Sequence, residues 1–368
     1  MADEAGPFVQ RGQAHALYAY EVGQSILLEE AQRRITSLTE RATLKHKRRA
    51  PKYFEYQPPP LRVIQQAVPL AIGNYHTGAQ VDLVVFDFGA VSVTYTIPLR
   101  GSLASLLDLS ATLYDDVTLL ADSRRRVADI LAVVGPAVNR PGIAEVAESY
   151  AIYQLQEISG AEITGETVLA HAPLLAQVLR AERETLSAQE VADAIACRIA
   201  FGGNDLTLID GDAAIVVDPN AEDIIAVLEF ANVELLEMHY LDQKLDAALD
   251  GAYRAFSRHD WRKVFRPRAA REDLDRIARL QVDGAILFEG VNNALKLIGD
   301  QFLARVYRLA SGRFHLADWD ASILRKLQTI EGIYSKVSDI STNRRMEVLE
   351  WIIIALIAFE VVLSFVRS

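Results

Sequence analysis

A short acidic stretch holds the side chains of this sequence that are best suited to chemistry. Residues 202–212 read GGNDLTLIDGD and place Asn204, Asp205, Asp210 and Asp212 close together in the chain. Carboxylate and amide oxygens are the ligands that hard divalent cations take, so a metal- or nucleotide-binding loop is one hypothesis. The spacing departs from that of a calcium loop, and Asn, Asp and Gly are equally typical of turns. The turn is the favoured interpretation, and no metal ligand is assigned.

A second group of titratable side chains is predicted on one helix. Glu234, Glu237, His239 and Asp242 lie within a little over two helical turns of one another. A convergent acid–base cluster is one hypothesis. A solvated helix face carries such residues routinely, and that is the favoured interpretation.

Motifs of known catalytic chemistry are not found in the sequence. It contains no Walker-type loop, GxGxxG, HExxH, CxxC or GxSxG. His259 and Asp260 suggest a dyad, but no nucleophile accompanies them. The sequence therefore predicts no catalytic residue, no cofactor and a protein that is not an enzyme.

A basic run followed by aromatic residues has the composition of a nucleic-acid contact. Cations can bind phosphates while aromatic rings such as Tyr53, Phe54 and Tyr56 stack on bases. The alternatives are a solvated linker, which is favoured, contact with anionic lipid or ribosomal RNA, and contact with a partner protein. Sequence-specific recognition of nucleic acid is not expected. The possible phosphate or lipid contacts are Lys45, Lys47, Arg48, Arg49 and Lys52.

Composition predicts a folded protein in a reducing compartment. The 368 residues are 51% hydrophobic and carry a net charge of -11, which argues against bulk attraction to nucleic acid or anionic lipid. Cys197 is the single cysteine, so an intrachain disulfide framework is excluded. The N-terminal sequence shows neither a secretory signal nor a transit peptide.

The first part of the chain is predicted to contain small β-sheets and helices. A strand running into a helix is expected from residue 15, and a basic linker over 43–60 ends in three prolines. Two hairpins are predicted over 81–99 and 205–219, and Gly89 supplies the turn conformation of the first.

Heptad spacing of apolar residues changes the pattern from Asn220 onward. Two long helices are predicted, and the break at Pro267 makes them an antiparallel hairpin. The fold class is therefore α+β, with small sheets followed by long heptad-patterned helices and a C-terminal hydrophobic helix. The predicted helical assembly seam consists of Ile224, Leu228, Leu235, Met238, Phe288, Val291, Leu295, Ile298 and Phe302.

The closing segment is predicted to be a membrane-anchoring helix. Sixteen residues from Trp351 to Val366 span roughly 24 Å as a helix, against a hydrocarbon core of about 30 Å. The apolar residues outweigh the cost of one intramembrane carboxylate, and arginines on the N-terminal side favour a cytoplasmic folded domain. The alternative is a helix buried in a soluble homo-oligomer. The anchor residues are Trp351, Ile352, Ile353, Ile354, Leu356, Ile357, Phe359, Glu360, Val361, Val362, Leu363 and Phe365.

Four blocks of this sequence, in order, resemble those of a known family. They read VDLVVFDFGAVSV, ADAIACRIAFG, VLEFANVELLEMHYLDQKLD and RRMEVLEWIIIALIAFEVV. The chain resembles, over residues 15–367, the "required for meiotic nuclear division" proteins and their YagE-like microbial relatives. The resemblance implies an anchoring or scaffolding factor, mitochondrial and supporting translation in eukaryotes, with no catalytic residue to carry over. Thr94, Tyr95 and Thr96 depart from the family pattern, and no mitochondrial presequence is seen.

These observations predict a non-enzymatic, self-associating scaffold that holds a cytoplasmic partner, with translation machinery implied by the resemblance. The location expected is the inner cell membrane with the folded domain in the cytoplasm, or the mitochondrial inner membrane in a eukaryote. The alternatives are a soluble homo-oligomer and a metal- or nucleotide-binding sensor or enzyme using the acidic loop. The predicted regions are a disordered 1–14, an α/β region 15–219, a helical bundle 220–347 and the hydrophobic helix 348–368.

Overall fold

The chain folds into two compact units. A computed structural model describes residues 8–39, 59–159, 165–257, 301–333 and 354. The first unit holds residues 8–240 and 301–319, and the second holds 241–257, 320–333 and 354. The sequence predicts a separate helical bundle from residue 220. In the structure, the helix Glu222–Ser257 is divided, and its first half, up to Tyr240, belongs to the α+β unit.

One mixed sheet of eight strands forms the centre of the first unit. Its spatial order is β10-β11-β12-β9-β1-β7-β6-β3, and all neighbouring strands are antiparallel except the parallel pair of β12 and β9. The strands of this sheet are β1 (Phe8–Glu21), β3 (Leu61–Gln66), β6 (Gln80–Val85), β7 (Ala90–Ser102), β9 (Ala147–Ser159), β10 (Arg198–Ile199), β11 (Leu206–Ile209) and β12 (Ala213–Val217). Two short pairs stand apart from it: β2 (Ser25–Ile26) with β8 (Val138–Asn139), and β4 (Ala71–Ile72) with β5 (Tyr75–His76).

The prediction of several small sheets is wrong. Both predicted hairpins are observed, as β6–β7 and β11–β12, but they are parts of the same sheet. The link between them is β1, which pairs with β7 on one side and β9 on the other. Because β1 begins at Phe8, residues 8–14, expected to be disordered, form the start of the central strand.

One face of the sheet is covered by short helices. Alternate residues of each strand point to this face, and they pack with the helices into one apolar core. The helices concerned are α1 (Leu28–Thr39), α2 (Ser105–Leu113), α3 (Val117–Val134) and α5 (Ala172–Arg180); α4 (Gly165–Leu169) and α6 (Ala188–Ala194) complete the region. Asp116 caps α3 by accepting a 2.7 Å hydrogen bond from the Leu119 amide, which fixes where that helix begins.

The opposite face of the sheet is covered by the first part, up to Tyr240, of a long helix, α7 (Glu222–Ser257), together with α8 (Gln301–Arg313). Phe230 on α7 packs against Phe86 with ring centroids 6.2 Å apart, and Thr94 donates a 3.2 Å hydrogen bond to Glu229. A sheet buried on both faces explains why the last six residues of β1 are all buried, without the alternation of a half-exposed strand.

Gly89 forms the turn of the first hairpin, as predicted. Its φ of +111° lies in the region that side chains disfavour, and a Cβ atom there would lie 1.9 Å from the carbonyl oxygen of Gly23. The close approach of the two backbone segments allows a hydrogen bond, in which the Val22 amide donates to the Gly89 carbonyl at 2.8 Å. A glycine is therefore required where β1 ends beside this turn.

The second unit contains the C-terminal part of α7 and most of a further helix, α9. This helix covers residues 316–333, and the boundary between the units falls after Trp319. Lys326 on α9 pairs with Asp242 at 2.7 Å and Asp246 at 2.6 Å on α7. Two carboxylates one helical turn apart thus share one ammonium group. This pairing also removes Asp242 from the acid–base cluster that the sequence suggested.

The transmembrane anchor predicted from the sequence is not found. Among the residues that the structure describes, no helix is both long and apolar enough to cross a bilayer. Ile354 is helical and 54% exposed, and the other predicted anchor residues lie outside the described ranges. The return helix predicted after residue 257 also lies largely outside them. The predicted fold class, with its antiparallel heptad helices and hydrophobic C-terminal helix, is corrected to an α+β fold built on one large mixed sheet.

Candidate functional site

A cavity of about 230 Å³ opens on the core face of the sheet in the first unit. It lies over the middle of β1, the first half of β9 and the start of β12, and the C-terminal ends of α2 and α5 form its walls. A single water needs only about 10–15 Å³, whereas pockets for drug-sized molecules reach about 300–1,000 Å³. The size therefore suits a small metabolite.

Three alanines in register form the floor of this cavity. Ala16 on β1 pairs directly with Ala151 on β9, and Ala151 pairs in turn with Ala213 on β12. All three line the cavity. Since a methyl group is the smallest side chain with a Cβ atom, three of them side by side leave the space that larger strand residues would fill.

Tyr18 lines the cavity one residue pair beyond this floor, beside Ser149. The residue is only 4% exposed, yet among the described residues its hydroxyl group has no hydrogen-bond partner. Burial, the charge of Asp116 and the neighbouring Tyr20 raise the pKa of Tyr18 above its usual range, so the hydroxyl stays protonated.

Four other buried tyrosines in the described part of the chain have hydroxyl partners. Tyr20 contacts the Ser123 hydroxyl at 2.6 Å, Tyr95 donates to Asp122 at 2.7 Å, and Tyr150 donates to the Asp210 carbonyl at 3.1 Å. Tyr307 donates to Glu234. Tyr18 and Tyr153, which both line the cavity, form no such hydrogen bond with the described residues, so their hydroxyl groups are available to a ligand.

Two aspartates lie at the mouth of the cavity. Asp115 follows α2, Asp212 precedes β12, and both are exposed. Neither carboxylate forms a hydrogen bond or an ion pair with the residues that the structure describes. Burial of part of the side chain, and then the charges of Asp210 and Glu148, raise the pKa of Asp212. The mouth is therefore an acidic region with free carboxylates.

A network of ion pairs fixes the wall beside this mouth. Asp210, with a side chain only 6% exposed, accepts hydrogen bonds from Arg180 at 3.1 Å and from Arg313 at 2.7 Å. Both guanidinium groups also contact Asp193, at 2.6 and 2.7 Å. Arg180 further pairs with Glu190. The positive charges of Arg180 and Arg313 are thus balanced by these acidic side chains.

The acidic loop of the sequence is divided by the fold. Asp205 accepts hydrogen bonds from the amides of Phe201 and Gly202, at 2.6 and 2.5 Å, and so closes its own turn. Asp210 belongs to the arginine network and Asp212 to the cavity mouth. In the described ranges, no three His, Cys, Asp or Glu side chains are placed to hold a metal ion.

The interpretation of Glu234 and Glu237 as part of a solvated helix face is wrong. They are 2% and 4% exposed, because the helix that carries them is enclosed by the sheet and α8. Tyr307 donates a 2.5 Å hydrogen bond to Glu234, and burial raises the pKa of Glu234 to about 8. Burial also raises the pKa of Glu237, to about 7, and the hydrogen bond to Glu21 offsets part of this shift. His239 contacts Glu148 at 2.8 Å.

The remaining residues singled out by sequence are placed as follows. Ile224, Leu228, Leu235 and Met238 of the assembly seam are buried within the chain, and Phe302 packs edge-on against Phe201 with centroids 5.3 Å apart. The rest of the seam and the five possible phosphate contacts lie outside the described residues: Phe288, Val291, Leu295, Ile298, Lys45, Lys47, Arg48, Arg49 and Lys52. Self-association stays a prediction.

Sequence reasoning missed the cavity itself. The signal that could have located it is the alternation of alanine and tyrosine in the sequence AHALYAYE, which places Ala14, Ala16, Tyr18 and Tyr20 on one face of a strand. A strand face with small residues beside large aromatic ones is typical of a concave surface. The partner alanines on β9 and β12 carry no such local signal.

The fold and its cavity define an α+β domain with a mixed eight-stranded sheet. The chain belongs to the family described as the N-terminal domain of uncharacterized protein MJ0711, which matches residues 11–223. This match covers all eight strands except the first residues of β1, and it includes the cavity. It neither confirms nor refutes the resemblance to the meiotic nuclear division proteins.

One relative is a protein of Methanocaldococcus jannaschii described as "Uncharacterized protein MJ0711". It is 25% identical over 226 residues, which cover 60% of this chain and 66% of the archaeal protein. The chain therefore aligns with slightly less than two thirds of the relative's length. No solved structure matches the chain.

Proposed function

We propose that the first unit is a binding module for a small polar molecule, which occupies the cavity above the three alanines. The observation that carries the proposal is Tyr18, a residue only 4% exposed that lines the cavity and whose hydroxyl group has no partner among the described residues. A hydrogen bond to this hydroxyl group would contribute about 0.5–1.5 kcal/mol to the binding of a ligand.

The lining supports binding rather than turnover. Among the described residues around the cavity there is no histidine, cysteine, lysine or arginine. Ser110 donates its hydroxyl proton to the Val178 carbonyl at 2.6 Å, so this serine is held by the backbone instead of by a general base. Hydroxyl groups, aromatic rings and two carboxylates remain, and these are groups that recognise a molecule.

The proposal is tested on the full chain by saturation-transfer difference NMR with three four-carbon probes, butanol, butylammonium and butyrate. At least one probe is expected to give a signal that is lost in Ala16→Val, which fills the floor, and is weakened in Tyr18→Phe, which keeps the ring. Tyr20→Phe is the matched control, because Tyr20 is on the same strand face but does not line the cavity.

The circular dichroism spectrum of each variant shows whether it is folded. If all three probes give the same signals with wild type and with a folded Ala16→Val variant, or no signals at all, the binding module is rejected.

The self-associating scaffold and its translational partner, expected from the sequence, stay predictions beside this proposal. A module that binds a metabolite is compatible with a scaffold whose partner binding depends on that metabolite.

A further inference from the structure

We infer that the ligand of the cavity is a small organic cation, an ammonium or guanidinium compound, bound between the free carboxylates at the mouth and the tyrosine-lined interior. This inference rests on the proposed function, because it names the ligand class of the same cavity.

The mouth of the cavity carries negative charge, which favours a positively charged ligand. Asp115 and Asp212 both line the cavity and neither is neutralised by a described residue. Burial raises the pKa of Asp212, and the negative charges of Asp210 and Glu148 raise this pKa further. A positive ligand relieves this repulsion, whereas an anion increases it.

The cations nearest to this mouth are already engaged. Arg180 lies near Asp212, but its guanidinium group contacts Asp193, Asp210 and Glu190. Arg313 is held by the same aspartates. The arginines therefore form the wall and leave the two mouth aspartates for a charge that comes from outside.

The aromatic residues that line the cavity also favour a cation. Tyr18, Tyr114 and Tyr153 all border the cavity. Tyrosine faces attract a cation through the quadrupole of the ring, at distances up to about 6 Å from its centroid. The hydroxyl oxygens of Tyr18 and Ser149 accept hydrogen bonds, and an ammonium or guanidinium group is a donor without acceptors. Both features of the interior thus match the same kind of ligand.

The apolar residues that line the cavity explain how such a ligand is held. Its apolar part lies on the methyl groups of Ala16, Ala151 and Ala213, and Leu113 and Val178 cover it from the helices. Its charged end lies toward Asp115 and Asp212. A linear amine with a short apolar chain has this shape and fits within about 230 Å³.

The three four-carbon probes also test this inference, because they have nearly the same size and differ in charge. Butylammonium is expected to bind at least about tenfold more tightly than butanol, and butyrate most weakly. In the variant Asp115→Asn/Asp212→Asn, butylammonium should weaken by about tenfold while butanol changes less than twofold, since exposed charge pairs contribute this order of affinity. Asp108→Asn, an exposed acid of α2 paired with Arg183, is the control and should leave all three unchanged.

Ionic strength gives an independent readout that needs no variant. Between about 0.01 M and 1 M salt the Debye length falls from about 30 to 3 Å, so butylammonium binding should weaken and butanol binding should not. If butanol or butyrate binds in a manner lost in Ala16→Val, and butylammonium binds no better, the cation inference is overturned and the binding module stands. If no probe depends on the cavity, the binding module itself is rejected.

Discussion

Tyr18 and Tyr20 lie two residues apart on one face of β1, and only Tyr20 has a protein partner for its hydroxyl group. Tyr20 contacts Ser123 at 2.6 Å, whereas Tyr18 borders the cavity and has no hydroxyl partner in the described chain. The two side chains are chemically identical and buried to a similar degree. Their difference separates a hydroxyl that serves the fold from one that is available for recognition.

The stability of two phenylalanine variants follows from this difference. Tyr20→Phe should lower the free energy of unfolding by about 1–2 kcal/mol, because the buried Ser123 hydroxyl loses a partner. Tyr18→Phe should change it by less than about 0.5 kcal/mol, or raise it, since no hydrogen bond is lost. Urea unfolding of both variants checks this. An equal loss in the two would show that the Tyr18 hydroxyl is satisfied within the fold.

Glu234 makes the protein less stable as the pH rises. Its pKa is about 8 in the folded state against 4.5 as the ordinary value, because burial disfavours the carboxylate. The unfolded chain loses this proton first, so the contribution is fully present below pH 4.5 and is lost progressively as the pH rises to 8. Glu234→Gln should remove roughly 3–5 kcal/mol of that dependence.

The measurement for Glu234 is urea unfolding at a series of pH values from 5 to 9. Glu222→Gln is the control, because Glu222 lies exposed in the first turn of the same helix. A Glu234→Gln variant with the same slope as wild type would show that the carboxyl group ionises freely in the folded protein.

His15 acts in the opposite direction, at acidic pH. Burial lowers its pKa from 6.5 to about 4, and its Nε2 atom is buried without a partner among the described residues. The folded state therefore keeps the imidazole neutral, and stability is lost as the pH falls from 6.5 through 4. His15→Gln should flatten this limb by about 3 kcal/mol, whereas His76→Gln, on an exposed strand, should not. Thermal unfolding between pH 4 and 7 distinguishes the two; an unchanged acid limb in His15→Gln would contradict the buried neutral state.

Asp210 should be the most sensitive member of the arginine network. Asp210→Asn removes the charge that faces both Arg180 and Arg313 from a side chain that is only 6% exposed. A loss of about 1.5–3 kcal/mol is expected, because both guanidinium groups lose a charged acceptor although each keeps its contact with Asp193. Asp108→Asn, which breaks only the exposed 3.5 Å pair with Arg183, should cost less than about 1 kcal/mol. Guanidinium chloride unfolding gives both values, and equal losses would refute the network as a structural element.

The sequence predicted the local elements of this fold and missed the assembly that joins them. The turn at Asp87-Phe88-Gly89 could be predicted, because a glycine with φ of +111° between two β-rich runs acts over a few residues. The pairing of Ala16 with Ala151 could not, because register between distant strands is set by the whole core and not by neighbouring residues. The joining of these elements into a single eight-stranded sheet therefore cannot be predicted from the local sequence.

The burial of Glu234 and Glu237 on α7 also could not be predicted from the local sequence. Heptad spacing through Ile224, Leu228 and Leu235 correctly marks apolar positions on α7, but it describes only one stripe of the helix. Nothing in the local pattern around Glu234 and Glu237 indicates that a second layer, which includes Tyr307, covers the opposite side of the helix. The acidic loop shows the same limit, because Asp205, Asp210 and Asp212 lie close in sequence but in three different environments in the fold.

The position of β1 has a consequence for the order of folding. It is the first strand of the described chain and lies at the centre of the sheet, where Phe8 pairs with both Ser102 and Ser159. Such pairings join segments far apart in sequence, and loop closure of this kind slows folding. During synthesis β1 must wait for β7 and β9 to leave the ribosome before its edges are covered. The apolar strand that builds the cavity floor is thus also the segment exposed longest in the nascent chain, and the one most exposed to aggregation.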